Sequence, residues 1–98
     1  MGRDQIIATL RAHKREIEAV GVVRLSLFGS TVRGEDRPDS DIDLLAAFDE
    51  TRQISLVDAV GIENRLADLL GRPVELVEEG TLKPRVKQSV DAEAVRAF

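Results

Sequence analysis

Cysteine is absent from the chain, and so are tryptophan and tyrosine. Without thiols there is no disulfide framework and no thiolate zinc site. A single histidine, His13, removes the multi-histidine zinc sites as well. Any metal is left to carboxylates, the hard oxygen donors that suit Mg²⁺ or Mn²⁺. The three aromatic residues are all phenylalanine, so the core is expected to be aliphatic, and stacking platforms for bases are scarce. No run approaches the ~20 apolar residues that cross a bilayer, and no signal peptide opens the chain, so a cytoplasmic protein without a membrane span is expected. Basic side chains are also in the minority, 14 against 18 acidic, for a formal net charge of −4. That sign disfavours long-range attraction to a phosphate backbone, and direct DNA binding is not expected.

What is present is the composition of an ordinary globular protein, 43% hydrophobic and 33% charged, too apolar for a disordered tail. Residues 1–98 are read as one domain, with no linker, repeat or low-complexity tract. So short a chain buries a smaller fraction of its surface than a larger one, and a stable partner would help it.

Residues 3–19 have the spacing of a helix, with Ile6, Leu10, His13 and Ile17 on one stripe and Ile7 widening it. Val22 to Phe28 reads as a strand with Val23, Leu25 and Leu27 on one face. Residues 30–34 suit a short helical turn, and Glu35 to Ser40 a polar loop with Pro38 as its breaker. Asp41 to Phe48 is a second strand. Ser55-x-x-Asp58 opens a helix through Leu70, which Gly71 and Pro73 stop. Pro73 to Val77 is a third strand. A last helix is expected from Lys83 or Pro84 to the end, with Val86, Val90, Ala94 and Ala97 aligned. Alternating elements of this kind predict an α/β (α+β) domain, a small mixed sheet flanked by helices.

The chemistry concentrates in Phe28-Gly29-Ser30-Thr31-Val32-Arg33-Gly34 and Ser40-Asp41-Ile42-Asp43-Leu44. Asp41 and Asp43 are two apart on a strand, so both carboxylates project from one face. Like charges so placed repel, and a divalent cation that both ligate reverses the penalty. Gly29-Ser30 stands where a strand gives way to a helical turn, a place where backbone can approach a phosphate closely. The Ser30 hydroxyl adds a donor and Arg33 a charged one. In the third strand Glu75 is a lone acid among aliphatics. If that strand lies beside the one bearing the aspartates, Glu75 joins their face, to bridge a metal or to take a proton from an attacking hydroxyl.

Gly29-Ser30, a ten-residue spacer and Asp41-x-Asp43 together resemble the nucleotidyltransferase signature of the polymerase-β superfamily. In its particular form, Phe28-Gly29-Ser30-x-x-Arg33-Gly34 with Ser40-Asp41-Ile42-Asp43-Leu44, the chain is similar over essentially its whole length to the minimal nucleotidyltransferases, the MNT or MntA-like proteins. The resemblance implies a polymerase-β-like fold and an antitoxin paired with a HEPN-type ribonuclease toxin in a hetero-oligomer. It implies transfer of AMP from ATP to a tyrosine of that toxin, with Mg²⁺, in a two-metal site. By the same resemblance Gly29, Ser30, Arg33 and Ser40 bind the nucleotide, while Asp41, Asp43 and Glu75 are the metal ligands and catalytic acids. One departure is visible: relatives commonly carry Asp where this chain has Glu75.

Competing readings stay open at this point. Gly29-Ser30 alone is an ordinary strand-to-helix turn, and an acid pair alone is a solvated strand face. Arg33 has Glu35 and Asp36 as alternative partners, His13 is read as packed or partner-facing, and Lys83, Arg85 and Lys87 as a solvated helix start. A binding-only antitoxin with a weakened site is the principal alternative. A free-standing transferase acting on a small molecule is a third, disfavoured because a chain of this length leaves room for a nucleotide site and little else.

Overall fold

The structure, a computed structural model, describes residues 2–37 and 39–98; Pro38, the expected loop breaker, lies outside the described residues. In chain order the elements are α1 (Arg3–Ala12), α2 (Lys14–Ala19), β1 (Val22–Phe28), α3 (Ser30–Arg33), β2 (Ile42–Phe48), α4 (Leu56–Leu70), β3 (Val74–Glu78), α5 (Pro84–Glu93) and β4 (Val95–Arg96). A 3₁₀ turn, Glu79–Thr81, follows β3.

The sheet has the order β3-β2-β1-β4. It is mixed: β2 runs antiparallel to β1 and parallel to β3, and β4 is antiparallel to β1. The parallel pair is joined by α4, the crossover helix that a parallel connection needs. Ile42, Leu44 and Ala46 alternate onto one face of β2, where they meet Leu25 and Leu27 of β1 and Val74 of β3. Ile6, Leu10 and Ile17 from α1 and α2, with Ile62, Leu66 and Leu70 from α4, close the same cluster. The core is aliphatic throughout, as so few aromatics require.

Ser55 begins α4 with a reciprocal cap: its Oγ accepts from the Asp58 amide at 3.1 Å, and Asp58 Oδ2 accepts from the Ser55 amide at 3.0 Å. Gly71 ends the helix in the left-handed conformation, at φ 68°. On the outer side of β3, the edge strand, the Leu76 amide donates to Glu63 of α4 at 2.8 Å.

Three sequence expectations change. The single helix over residues 3–19 is two, jointed at His13, whose amide is shared between the Thr9 and Leu10 carbonyls at 3.2 Å each. The joint takes the imidazole off the core stripe and sets it 3.4 Å from Glu16. In β1 it is Val22, not Val23, that joins Leu25 and Leu27 in the core, and Val23 is 49% exposed. A bulge between Val22 and Arg24 sets two residues against one of β2, and this reverses the alternation on one side of it.

The last helix also stops short of the end, at Glu93. Val95 and Arg96 instead pair with Leu27 and Ser26, and the Ala97 amide donates to the Leu25 carbonyl at 2.8 Å. Ala97 is therefore buried just beyond β4, while α5 buries no residue fully and leaves Val86 exposed. An edge of β1 with unsatisfied backbone groups offers this tail more hydrogen bonds than another helical turn would.

Candidate active site

The fold brings the two halves of the glycine–aspartate motif and the third acid to one end of the sheet. Phe28, the last residue of β1, is paired with Asp43, and Asp43 is paired on its other side with Glu75. Residues in lateral register point to the same face, so Asp43 and Glu75 stand side by side opposite the core. Asp41 precedes β2 by one residue, separated from Asp43 by the buried Ile42, and is exposed.

Gly29 is fixed here by two independent constraints. Its backbone has φ 79°, a region that disfavours any β-carbon. A β-carbon built there would also lie 3.1 Å from Cγ and 3.3 Å from Cβ of Asp43, and would overlap Oδ2. The glycine thus lets the strand end pack directly against the carboxylate. Ser30 then opens α3, a single turn that Gly34 closes at φ 72°.

The electrostatics of Asp43 follow from this packing. Burial raises its pKa above the ordinary carboxylate value, and the neighbouring Glu75 and, less strongly, Asp41 raise it further. Only Arg33 opposes them. Arg33 is itself held by Glu35, 3.0 Å from its Nε, and by Glu93 at the end of α5. Of the alternatives that the sequence allowed for this arginine, the Glu35 pair is found. Ser40 is engaged within the motif loop, where its Oγ accepts from the Arg37 amide at 2.9 Å.

Among the described residues no three His, Asp or Glu side chains are gathered into a ready metal cluster. The donor set nevertheless suits a hard divalent cation: three carboxylates at one sheet end, one kept partly from water beside a like charge. A groove of about 900 Å³ lies away from this chemistry. It runs between α2 and α4, lined by Val20, Ile54, Val57 and Ile62, towards the end of β2 that is far from Asp43.

Sequence reasoning missed Arg72, which reaches under the motif loop to Asp36, Arg37 and Ser40. Set between the helix stop Gly71 and Pro73, it carried no periodic or motif signal. It missed Glu79 as well, whose carboxylate pairs with Arg24.

A turn that admits close backbone approach beside paired carboxylates is an arrangement that nucleotidyl transfer can use. Comparison with known proteins shows the family. The family described as nucleotidyltransferase domain matches residues 9–96. The protein adenylyltransferase MntA of Thermococcus cleftensis is 41% identical over 93 residues, which span 94% of this chain and 92% of that protein. A solved structure described as a candidate minimal nucleotidyltransferase matches with a TM-score of 0.72 at 40% identity, covering 97% of this chain and 95% of that one. A complex of the tri-AMPylated Shewanella oneidensis HEPN toxin with MNT antitoxin contains a match of TM-score 0.60 at 17% identity, over 90% of this chain and 71% of that one. At such low identity the likeness is one of fold alone. The chain belongs to the nucleotidyltransferase domain family, in its minimal, MntA-like branch with the polymerase-β-like fold, and is a nucleotidyltransferase.

Proposed function

We propose that this protein transfers AMP from ATP to a hydroxyl group of a partner protein, with Mg²⁺, as the antitoxin of a HEPN-type toxin whose tyrosine receives the nucleotide. The observation that carries the reading is Asp43 packed against Gly29 and paired with Glu75. It joins a phosphate-approach turn to an acid pair that is unfavourable in isolation. The relative named as a protein adenylyltransferase, and the AMPylated toxin in the structurally similar complex, support a protein acceptor and AMP as the group moved.

Asp41, Asp43 and Glu75 would hold the metal, which supplies neutralisation of charge on the triphosphate when bound. Gly29 lets the phosphates approach the backbone, and the Ser30 hydroxyl donates to a phosphate oxygen. Ser40 and Arg33 lie in the two halves of the same motif; for Arg33 to grip phosphate, the phosphate displaces Glu35 or Glu93. The acceptor oxygen forms a bond to the α-phosphorus as the bond to the α,β-bridging oxygen breaks, and pyrophosphate leaves. The hydroxyl proton passes to a carboxylate, and Glu75, exposed near the start of β3, is the one we assign. Incubation with α-labelled ATP, Mg²⁺ and a cognate HEPN-type toxin is expected to label the toxin. An unlabelled toxin, or equal labelling by the Asp41→Asn/Asp43→Asn double variant, sinks the reading.

Glu75 in place of the more usual Asp, with the acids ungathered, favours a second reading: neutralisation by binding alone. It predicts that the same double variant still protects cells from the toxin. Loss of protection with the complex intact rejects it.

A further inference from the structure

The chain around Asp41 is held from both sides by two consecutive residues of the connection between α4 and β3. Arg72 Nη2 donates to the Ser40 carbonyl at 2.9 Å, and that carbonyl belongs to the peptide unit leading into Asp41. On the far side, the Ile42 amide, in the peptide unit leaving Asp41, donates to the Pro73 carbonyl at 2.8 Å. Arg72 also donates from Nη2 to the Arg37 carbonyl at 3.0 Å and from Nη1 to Asp36 Oδ2 at 3.0 Å. The guanidinium therefore reaches Asp36, Arg37 and Ser40, between the two halves of the motif, from one point.

That point is rigidly placed. The Arg72 side chain is 9% exposed and that of Asp36 17%. The Pro73 ring restricts the backbone of the residue before it, Arg72, and disfavours the helical conformation there. Its Nε is buried without a hydrogen-bond partner among the described residues. The guanidinium meets three acceptors, Asp36 and the Arg37 and Ser40 carbonyls, at the cost of one buried N–H without a partner. The fork geometry is suited to fixing several acceptors at once.

We propose that Arg72 is a positioning residue for the metal–nucleotide site: it sets the carboxylate of Asp41 relative to Asp43 and Glu75. The inference rests on the reading of these acids as metal ligands. Residues 72 and 73 lead directly into β3, so the strand that presents Glu75 and the clamp on Asp41 are one continuous piece. The spacing of Asp41 from the other two is then fixed through the backbone and not by the acids themselves, which repel.

The test is Mn²⁺ binding by the full chain, read as the free-ion EPR signal, with no turnover required. Wild type, Arg72→Gln, Arg72→Lys, Asp36→Asn, Asp41→Asn and Ser55→Ala are compared well below their melting temperatures. Arg72→Gln is expected to weaken Mn²⁺ binding by roughly 10-fold or more, the usual effect of removing a group that orients a ligand. Arg72→Lys, which keeps the charge but not the fork, is expected to regain only part of it. Ser55→Ala, destabilised at the distant start of α4, is expected to keep wild-type affinity, and this separates positioning from loss of stability. Wild-type affinity in Arg72→Gln, with binding lost in Asp41→Asn, overturns the proposal and leaves the metal site standing. No Mn²⁺ bound by wild type overturns both. If Arg72→Gln fails to fold, Asp36→Asn decides: weaker binding supports the clamp, and unchanged binding overturns it.

Discussion

The two ends of β2 are built on opposite principles. At its start, Asp43 is pressed against Gly29, paired with Glu75 and near Asp41, and its pKa is pushed up by burial and by those like charges. Beyond its far end, Asp49 accepts from the amide and hydroxyl of Thr51 at 2.9 and 2.6 Å, and Asp58 completes the cap with Ser55. Both of those acids are drawn below their ordinary pKa by these hydrogen bonds, Asp49 through the Thr51 hydroxyl and Asp58 through the Ser55 amide. One end carries a carboxylate, Asp43, whose charge the fold disfavours, and the other carries two carboxylates whose charge the fold uses. A carboxylate held above its ordinary pKa, beside a glycine whose conformation and surroundings exclude a side chain, is what the proposed ligand site requires.

The contrast can be broken most severely at Gly29. Gly29→Ala is expected to abolish nucleotide transfer and to destabilise the chain by about 1–3 kcal/mol, because it strains the backbone and collides with Asp43. Transfer assays and thermal melts check both effects. At the opposite end, Ser55→Ala is expected to lower stability by about 1 kcal/mol, a Tm drop of roughly 4–8 °C, and to leave transfer by the folded protein unchanged.

Smaller and of opposite sign is Asp43→Asn. In metal-free buffer at neutral pH it is expected to raise stability by less than about 1 kcal/mol, since it removes a like charge from a directly paired position, while transfer is lost. Added Mg²⁺ is expected to narrow the difference by stabilising the wild type alone.

The pH dependence sharpens the comparison last. A raised pKa means that folded Asp43 holds its proton where the unfolded chain has released it. Its penalty is thus complete at neutral pH and fades as pH falls through that window towards 3.8. The Tm gain of Asp43→Asn should shrink on acidification. Asp58 is lowered, so its contribution is complete above 3.8 and lost as pH falls through the lower, folded value. The Tm loss of Asp58→Asn should likewise be present at neutral pH and disappear in acid. A gain at the first site that grew in acid would contradict the origin given for the Asp43 shift.

Much of this site was legible from the sequence because its determinants are local. Gly29 and the Asp41/Asp43 pair announce themselves by residue type and spacing, and the face shared with Glu75 follows once β3 lies beside β2. The strands and α4 were legible for the same reason, with periodicity and caps within a few residues of one another. The bulge at Val23 was not, because alternation says nothing about where a partner strand skips a residue. Nor was β4: Ala97 fits a helical stripe as well as a strand, and only the open edge of β1 decides between them. Arg72 escaped notice because its partners are 32 to 36 residues away, at a separation where no local pattern operates.

The Glu63 carboxylate at the rim of β3 has a consequence for the life of the molecule in a crowded solution. A parallel edge strand ordinarily displays amides onto which a stray peptide can add itself, the first step towards fibrous aggregates. Here the middle amide of the strand is already occupied by an anion from the crossover helix. An incoming strand would have to strip water from that charge and evict it. Glu63→Leu should therefore leave the sheet built as before but shorten the lag before fibrils form.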